Sequence, residues 1–328
     1  MDFPAAPNQP ATEEPNQPQQ LGRPRASLGH PFFYNDLGIR SGWRLLVYFS
    51  LGLLIYGVEL VPVSFFYLGR NPLGVWTIIL GESMTFAAAF GAAFLMARLE
   101  DRPGAAYGLP LAATFGKRFW QGMLLGLCEI SLIVGLMWIL GVYTFGNPSF
   151  HGWKIAQWGV LWFLAAVLIA LPEEFLFRGY TQYTLADGIG FWPAAIVLSL
   201  IFAAVHKTNP GENWIGVINI FFTGLLWAFT LKRTGSLWLA VGWHAAFDFG
   251  ESFLYSVPNS GGVFEGHLSN ATITHGRTWL TGGSVGPEGS VFAFATLGLG
   301  AIVIHFWFPA AVKKQTATSV ADASVNQV

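Results

Sequence analysis

The amino-acid sequence predicts an all-α fold, a polytopic transmembrane helical bundle of about eight spans. Two features of the composition indicate a membrane protein: 53% of the 328 residues are apolar and only 11% are charged, whereas soluble domains carry about 25% charged residues. The mean hydropathy is +0.49. A third observation favours helices, because no stretch sustains the alternation of apolar and polar residues that is typical of a half-buried strand. In lipid, a helix also satisfies its backbone hydrogen bonds within its own segment.

Eight apolar stretches are long enough, or nearly long enough, to cross about 30 Å of hydrocarbon. They lie at residues 43–68, 74–97, 118–141, 156–186, 191–208, 214–231, 236–255 and 289–309. The fifth and sixth stretches have only 18 residues each, so we expect them to be tilted or partly shielded by neighbouring helices. We interpret the fourth stretch as one helix that continues to about residue 186.

Polar segments flank the apolar stretches on both sides. Seven of the 18 prolines lie in the first 31 residues, interleaved with Gln and Asn, and such a composition buries too little apolar surface to offset the entropy of ordering. We therefore expect a disordered Pro- and Gln-rich cytoplasmic tail, without the pattern of a signal peptide. The predicted divisions are this tail at 1–42, N-terminal helices at 43–145, a core at 155–255, a polar loop at 256–288, a last span at 289–312 and a polar tail at 313–328.

The distribution of Lys and Arg predicts that both termini lie in the cytoplasm. With the N-terminus inside, thirteen of these residues fall on the inner side and four on the outer side, and positively charged loops tend to stay inside. The inner residues are Arg23, Arg25, Arg40, Arg44, Arg98, Arg102, Lys117, Arg118, Arg178, Lys232, Arg233, Lys313 and Lys314. The outer residues are Arg70, Lys154, Lys207 and Arg277. The net charge of −1 provides no basic field for binding nucleic acid.

The densest group of ionisable residues inside an apolar stretch is Glu173, Glu174 and Arg178. Glu174 and Arg178 are four residues apart and share a helix face, so they can pair. Glu173 lies about 100° round the helix from Glu174, and Arg178 cannot readily neutralise both carboxylates. One carboxylate is therefore free or has a distant partner. A charge cluster at the membrane surface is the simpler alternative, but two adjacent carboxylates in an apolar run argue against it.

Two further pairs at helical spacing carry histidines. Phe202 can pack on the imidazole of His206, and Asp248 can orient the ring of His244. Each pair alone is also consistent with a structural histidine. With an unbroken fourth helix, Glu173 and His206 lie at matching depths of about 20–22 Å from the turn at residues 187–190, and the His244 pair enters from the same side.

This set of side chains suits the hydrolysis of a peptide bond in a water-containing membrane cavity. A carboxylate in low dielectric accepts a proton more readily, so Glu173 is the candidate general base, while His206 helps to hold the attacking water. His244 and Asp248 can supply hydrogen bonds or protons to the developing oxyanion.

Three motifs resemble those of a known protein family. They are Glu-Glu-x-x-x-Arg at 173–178, Phe-x-x-x-His at 202–206 and His-x-x-x-Asp at 244–248. In order and approximate spacing they resemble the CAAX-protease and bacteriocin-processing (CPBP, or Abi) intramembrane proteases, which include the Rce1-like prenyl endopeptidases. The resemblance covers roughly residues 155–255. It implies a membrane-embedded endopeptidase whose substrates are peptides or proteins, prenylated or membrane-bound ones among them.

The resemblance also implies a role for each motif. Glu173 activates water together with His206, and Glu174 and Arg178 support the site. The last motif serves the oxyanion region, with Asp248 at a position that is often Asn in the family. A carboxylate there is a poorer oxyanion donor unless it is protonated.

The resemblance leaves the metal requirement open. Family members are commonly named metalloproteases, and Glu173, His206 and His244 are able in principle to hold Zn²⁺, which accepts nitrogen and oxygen ligands. We slightly prefer a metal-free mechanism, because Asp248 and the Glu174–Arg178 pair already give each group a hydrogen-bonding role. The sequence has no H-E-x-x-H motif of the zincin type.

A second class of function is a proton- or ion-coupled membrane carrier. Glu59, Glu82 and Glu129 place one acid in each of the first three spans, either for hydrogen bonding between helices or for an ion path. The internal repeat that is typical of carriers is not visible. A catalytically inactive membrane partner of the same family is a third possibility. The G-x-S-x-G pattern at 282–286 falls in the predicted loop, without the strand and helix of a nucleophile elbow.

Overall fold

The computed structural model describes residues 32–35, 38–67, 74–102, 107–274 and 276–308. The part of the chain that it describes is mostly helical. Most of the predicted N-terminal tail and the whole polar tail at 313–328 lie outside the described residues, so the predictions for them are not addressed by the structure.

The helices follow one another along the chain, and the longest connection comes after the eighth. They are α1 (Ser41–Tyr67), α2 (Val75–Leu99), α3 (Lys117–Ile139), α4 (Trp153–Arg178), α5 (Tyr180–Ile189), α6 (Phe191–His206), α7 (Trp214–Thr234), α8 (Trp238–Phe249), α9 (Thr278–Thr281) and α10 (Val291–Trp307). A π-helical turn at Gly250–Leu254 continues α8. Two antiparallel strand pairs accompany the helices, β1 (Tyr34–Asn35) with β2 (Gly38–Ile39), and β3 (Tyr143–Thr144) with β4 (Thr272–Ile273). The second pair ties the long loop after α8 to the segment after α3.

A helix occupies each of the eight predicted apolar stretches, which confirms the all-α polytopic bundle. In the described part of the chain, five helical segments are long and apolar enough to cross a membrane: Ser41–Phe65, Val75–Leu99, Lys117–Ile139, Trp153–Ile189 and Trp214–Thr234. The helices α6, α8 and α10 are shorter, with 16, 12 and 17 residues. The number of eight crossings therefore stays a prediction.

The outward faces of the long helices are apolar. On α1, for example, Leu53, Val58 and Phe65 are 74%, 65% and 74% exposed. An apolar stripe of this kind is unfavourable in water but suits contact with lipid chains, whose interior offers no hydrogen bonds.

The short helix α8 lies at the centre of the bundle, and nearly all of its residues are buried. Two glycines of α3 let the backbones approach closely: a Cβ atom at Gly122 would meet the backbone oxygen of Leu239, and one at Gly126 would meet that of Trp243. Small residues at a helix contact are a common means of close packing in membranes. This contact fixes α8, which carries the third motif.

The fourth helix does not continue to residue 186, so the prediction of an unbroken helix was wrong. It ends at Arg178, and a new helix begins at Tyr180. The residue between them, Gly179, has a ψ of −121°, outside the helical range. A Cβ atom there would meet the backbone oxygen of Phe175, so the break requires glycine. The matching depth of the motifs thus cannot rest on one continuous helix.

A cluster of charged side chains ties α5 to the first two helices. Arg44 of α1 lies 2.6 Å from Glu100, just after α2, and 2.9 Å from Asp187 of α5. Tyr180 donates a hydrogen bond to Glu100 at 2.5 Å, and Arg102 pairs with Asp187. This ionic cluster holds the helix that follows the Glu173–Arg178 motif against the N-terminal part of the bundle.

Candidate active site

A cavity of about 490 Å³ lies between the helices that carry the three motifs. Glu173 of α4, His206 of α6, and His244 and Asp248 of α8 all line it. Glu174 and Arg178 are behind its wall, with side chains that are 0% and 2% exposed. The structure therefore brings the six predicted site residues together, four of them on the cavity surface and two directly behind it.

Glu173 faces both histidines across the cavity. Its Oε2 atom lies 3.9 Å from Nε2 of His206 and 3.9 Å from Nε2 of His244. These distances are too long for direct hydrogen bonds but can be spanned by one bridging water molecule. The Glu173 side chain as a whole is 30% exposed, while its Oε2 atom is buried and has no hydrogen-bond partner in the described part of the chain.

Glu174 is bonded on two sides. Its Oε1 atom lies 3.4 Å from Nη1 of Arg178, so the predicted pair is present. The same oxygen lies 3.1 Å from Nδ1 of His244, and because a carboxylate oxygen only accepts, Nδ1 carries the proton and donates. The contact turns Nε2 of His244 towards Glu173 and towards Asp248, whose Oδ2 atom is 3.5 Å away. The sequence did not reveal this contact between the first and third motifs.

Arg178 is enclosed by aromatic rings. Its guanidinium carbon lies 4.4 Å from the ring centre of Phe202 and 5.3 Å from that of Trp227, a cation–π arrangement. Trp227 also stacks on the His244 ring at 4.6 Å with an interplanar angle of 19°. Trp227 was missed in the sequence, since a Trp in an apolar helix gives no signal of its own.

His206 is oriented by its own helix. Its Nδ1 atom donates to the backbone oxygen of Phe202 at 2.9 Å, and the two rings lie 4.3 Å apart. In the neutral ring this bond leaves Nε2 as the acceptor. The acceptor is the atom that faces Glu173.

Three further carboxyl groups line the same cavity, namely Glu82, Glu129 and Glu288. Glu129 accepts hydrogen bonds from Nε1 of Trp243 at 2.5 Å and from Thr296 at 3.1 Å, so it joins helices as the milder interpretation of the early acids expects. Glu59 is not among the residues that line the cavity. Glu288 was missed, because a single acid in a Gly- and Ser-rich loop carries no periodic signal.

The donor atoms do not form a zinc site as they are placed. Ligand atoms on a tetrahedral zinc ion are about 3.3 Å apart, whereas Oε2 of Glu173 is 3.9 Å from each histidine nitrogen. Among the described residues, no group of three or more His, Cys, Asp or Glu side chains is arranged to hold a metal ion. The steps derived below use no metal.

The bundle and its cavity define a helical membrane protein with an internal site of paired glutamates and histidines. Residues 155–250 match the model of a family described as type II CAAX prenyl endopeptidase Rce1-like. This segment of the chain is therefore similar to the Rce1-like family, and it contains all six predicted site residues. The apolar helices and this match together support an integral, multi-pass membrane protein with a segment similar to the Rce1-like family.

One relative is similar over part of its length. It is "Uncharacterized protein YyaK" of Bacillus subtilis (strain 168), which is 32% identical over 131 residues, or 36% of this chain and 42% of the relative. The chain thus spans less than half the length of the curated relative that it matches. No solved structure matches the chain.

Proposed function

We propose that the protein is an intramembrane endopeptidase of the CAAX type, in which Glu173 activates water for attack on a peptide bond. One observation carries this proposal: the Glu173 carboxylate faces Nε2 of both His206 and His244 at 3.9 Å, while its neighbour Glu174 is buried and paired. The two adjacent glutamates therefore differ in access to water and in partners.

The first step uses Glu173 and His206. A water molecule between them donates one proton to Glu173 and the other to Nε2 of His206 as hydrogen bonds, which aims its lone pair at the peptide carbonyl. As the new C–O bond forms, Glu173 takes the proton and the carbonyl electrons move to the oxygen. When the tetrahedral intermediate collapses, the C–N bond breaks and Glu173 passes the proton to the leaving amine.

His244 is the candidate oxyanion donor. Glu174 accepts the hydrogen bond from Nδ1, and Nε2 faces the cavity beside Glu173 and Asp248; when the ring is protonated, its Nε2–H can donate to the oxyanion. Asp248 then orients the ring, which gives it a role that does not require the side chain itself to donate. We propose a metal-free route of this kind for membrane-bound or prenylated protein substrates.

The proposal is tested by comparing protein N-termini in membranes. Cells without the gene, with the wild-type gene and with Glu173→Gln at equal abundance are compared by N-terminal mass spectrometry. New N-termini should appear with the wild type and be absent in the other two. If Glu173→Gln produces the same N-termini as the wild type, the proposed mechanism is wrong.

A proton- or ion-coupled carrier is the second candidate, because Glu82 and Glu129 add two intramembrane acids to the same cavity. A carrier would move protons or other ions into proteoliposomes in the absence of any peptide. A catalytically inactive partner would show neither transport nor new N-termini.

A further inference from the structure

The cavity is lined by acids and, among the described residues, by no Lys or Arg side chain. Five carboxyl groups face it. Arg178, the nearest cation in the motifs, is held behind the wall by Glu174. The five carboxyl groups outnumber the two histidines that also line the cavity, and a concave surface with an excess of one sign of charge favours a ligand of the opposite sign.

Three of the five acids have no part in the proposed chemistry. Glu173 and Asp248 belong to the catalytic group, and Glu129 accepts a hydrogen bond on each of its two carboxylate oxygens. Glu82 and Glu288 remain. They come from different walls of the cavity, Glu82 from α2 and Glu288 from the turn Pro287–Gly289 before α10.

Glu82 lies close enough to the catalytic residues to interact electrostatically with them. Its carboxylate interacts electrostatically with Glu173, Asp248 and His244. It is half-buried, and within the described part of the chain no hydrogen bond ties its side chain to another residue. A carboxylate that lines the cavity in this way can accept from a substrate.

Asn219 and Glu288 supply an independent sign of a ligand that donates hydrogen bonds. Asn219 lines the cavity and is only 4% exposed. Its amide nitrogen donates to the backbone oxygen of Glu288 at 3.1 Å, while its Oδ1 atom has no partner in the described part of the chain. Oε1 of Glu288 likewise lacks a partner there, although Ser260 donates to this carboxylate. Buried acceptors without donors are costly unless a ligand supplies the donors.

We propose that this cavity selects substrates with a Lys or Arg side chain next to the scissile bond, held by Glu82, Glu288 and Asn219. The inference rests on the proposed function and names its substrate class. An ammonium or guanidinium group offers several donors and no acceptor, which complements a wall of acceptors. The apolar residues Ile78 and Phe264 also line the cavity, and the aliphatic stem of a Lys or Arg packs on such surfaces.

The protonation of Glu288 predicts how the preference for a basic side chain depends on pH. Burial and the neighbouring acids Glu212 and Asp248 raise the pKa of Glu288 to about 8. The arriving cation favours the ionised carboxylate, so binding releases a proton. The preference for a basic side chain should therefore increase as the pH rises towards 8.

The experiment uses the full chain in liposomes and pools of short quenched-fluorescence peptides. The pools are random except for a central Lys, Arg, norleucine or Glu. Norleucine keeps most of the Lys stem and removes the charge. We expect kcat/KM for the Lys and Arg pools to exceed that for the norleucine pool by about 10-fold or more, the effect of a charge-assisted contact. Equal values for the Lys and norleucine pools would overturn the inference without any variant.

Variants test whether Glu82 and Glu288 cause the preference for Lys over norleucine. The ratio of Lys to norleucine turnover should fall towards 1 in Glu82→Gln and in Glu288→Gln. Glu59→Gln is the matched control, since this intramembrane glutamate does not line the cavity, and it should keep the wild-type ratio. A ratio unchanged in both Glu82→Gln and Glu288→Gln would show that these acids do not select the cation.

A binding arm separates this inference from the proposed function. Fluorescence anisotropy of the same peptides on Glu173→Gln measures recognition without cleavage. Preferential binding of Lys peptides together with no cleavage by the wild type would support the cation site and overturn the protease proposal. Cleavage without any preference, and equal binding of both pools, would overturn the cation site alone.

Discussion

Replacing either of the adjacent glutamates by Gln removes one negative charge at nearly constant shape, yet the structure predicts different results. Glu173→Gln removes the basic oxygen that faces His206 and His244. Because the Glu173 side chain is 30% exposed and makes no direct hydrogen bond to either ring, the folded state loses little. Glu174→Gln instead removes the charged partner of Arg178 inside the bundle.

The magnitudes follow from burial and contact. Loss of a general base lowers turnover by about 10²-fold or more, so Glu173→Gln should lose this factor while its thermal stability changes little. Glu174 and Arg178 are 0% and 2% exposed, and breaking a buried charge pair costs about 3–5 kcal/mol. Since a folded protein is stable by only about 5–15 kcal/mol, Glu174→Gln should reduce abundance and Tm as well as activity.

The assay is turnover per folded molecule in liposomes, with Tm measured on the same preparations. Glu59→Gln, an intramembrane glutamate outside the cavity, controls for the loss of a charge. If folded Glu174→Gln is inactive while Glu173→Gln keeps near-normal turnover, the two roles are reversed. If both keep it, the protease proposal itself fails.

Four further outcomes are expected. Arg178→Gln should resemble Glu174→Gln in losing Tm, and an unchanged Tm would contradict the buried pair. Reporter fusions after Lys314 and within 258–288 should localise to opposite sides of the membrane; equal localisation would refute the predicted orientation. The raised pKa of Glu288, about 8 against an ordinary 4.5, means that the folded state retains a proton that the unfolded chain releases. Stability from this group therefore falls between about pH 4.5 and 8, and the Tm advantage of Glu288→Gln over wild type should grow across that window; a constant difference would contradict it. Chelators should leave activity intact, whereas stoichiometric zinc with activity restored by Zn²⁺ would overturn the metal-free route.

Contacts within one helix were predictable from the sequence because helical spacing is local. The pairs Glu174–Arg178 and Phe202–His206 are both present at the expected separation of four residues. The contact of Glu174 with His244 was not predictable, since it joins positions 70 residues apart and depends on how α4 packs against α8.

The sequence predicted that the motifs lie together, and they do, but the reason given for it was wrong. The matching depths relied on a helix that runs past Gly179, and that helix is broken there. A glycine in an apolar run is tolerated in many helices, so its conformation is decided by the close approach of the Phe175 backbone, which only the folded structure shows. Glu288 reaches the cavity from a loop, where spacing carries no information about direction.

Residues outside the segment that matches the family also line the cavity. Glu82, Glu129 and Glu288 all lie outside residues 155–250, while every motif residue lies inside. Under the two proposals, the catalytic residues lie inside the matched segment, whereas Glu82 and Glu288, two of the three residues that select the substrate, lie outside it. If the proposed function holds, relatives that share the matched segment should cleave by one mechanism and differ in the substrates that they bind. An engineer who grafts the first three helices and the long loop from one such protein onto another should transfer its preference and leave the catalytic step unchanged.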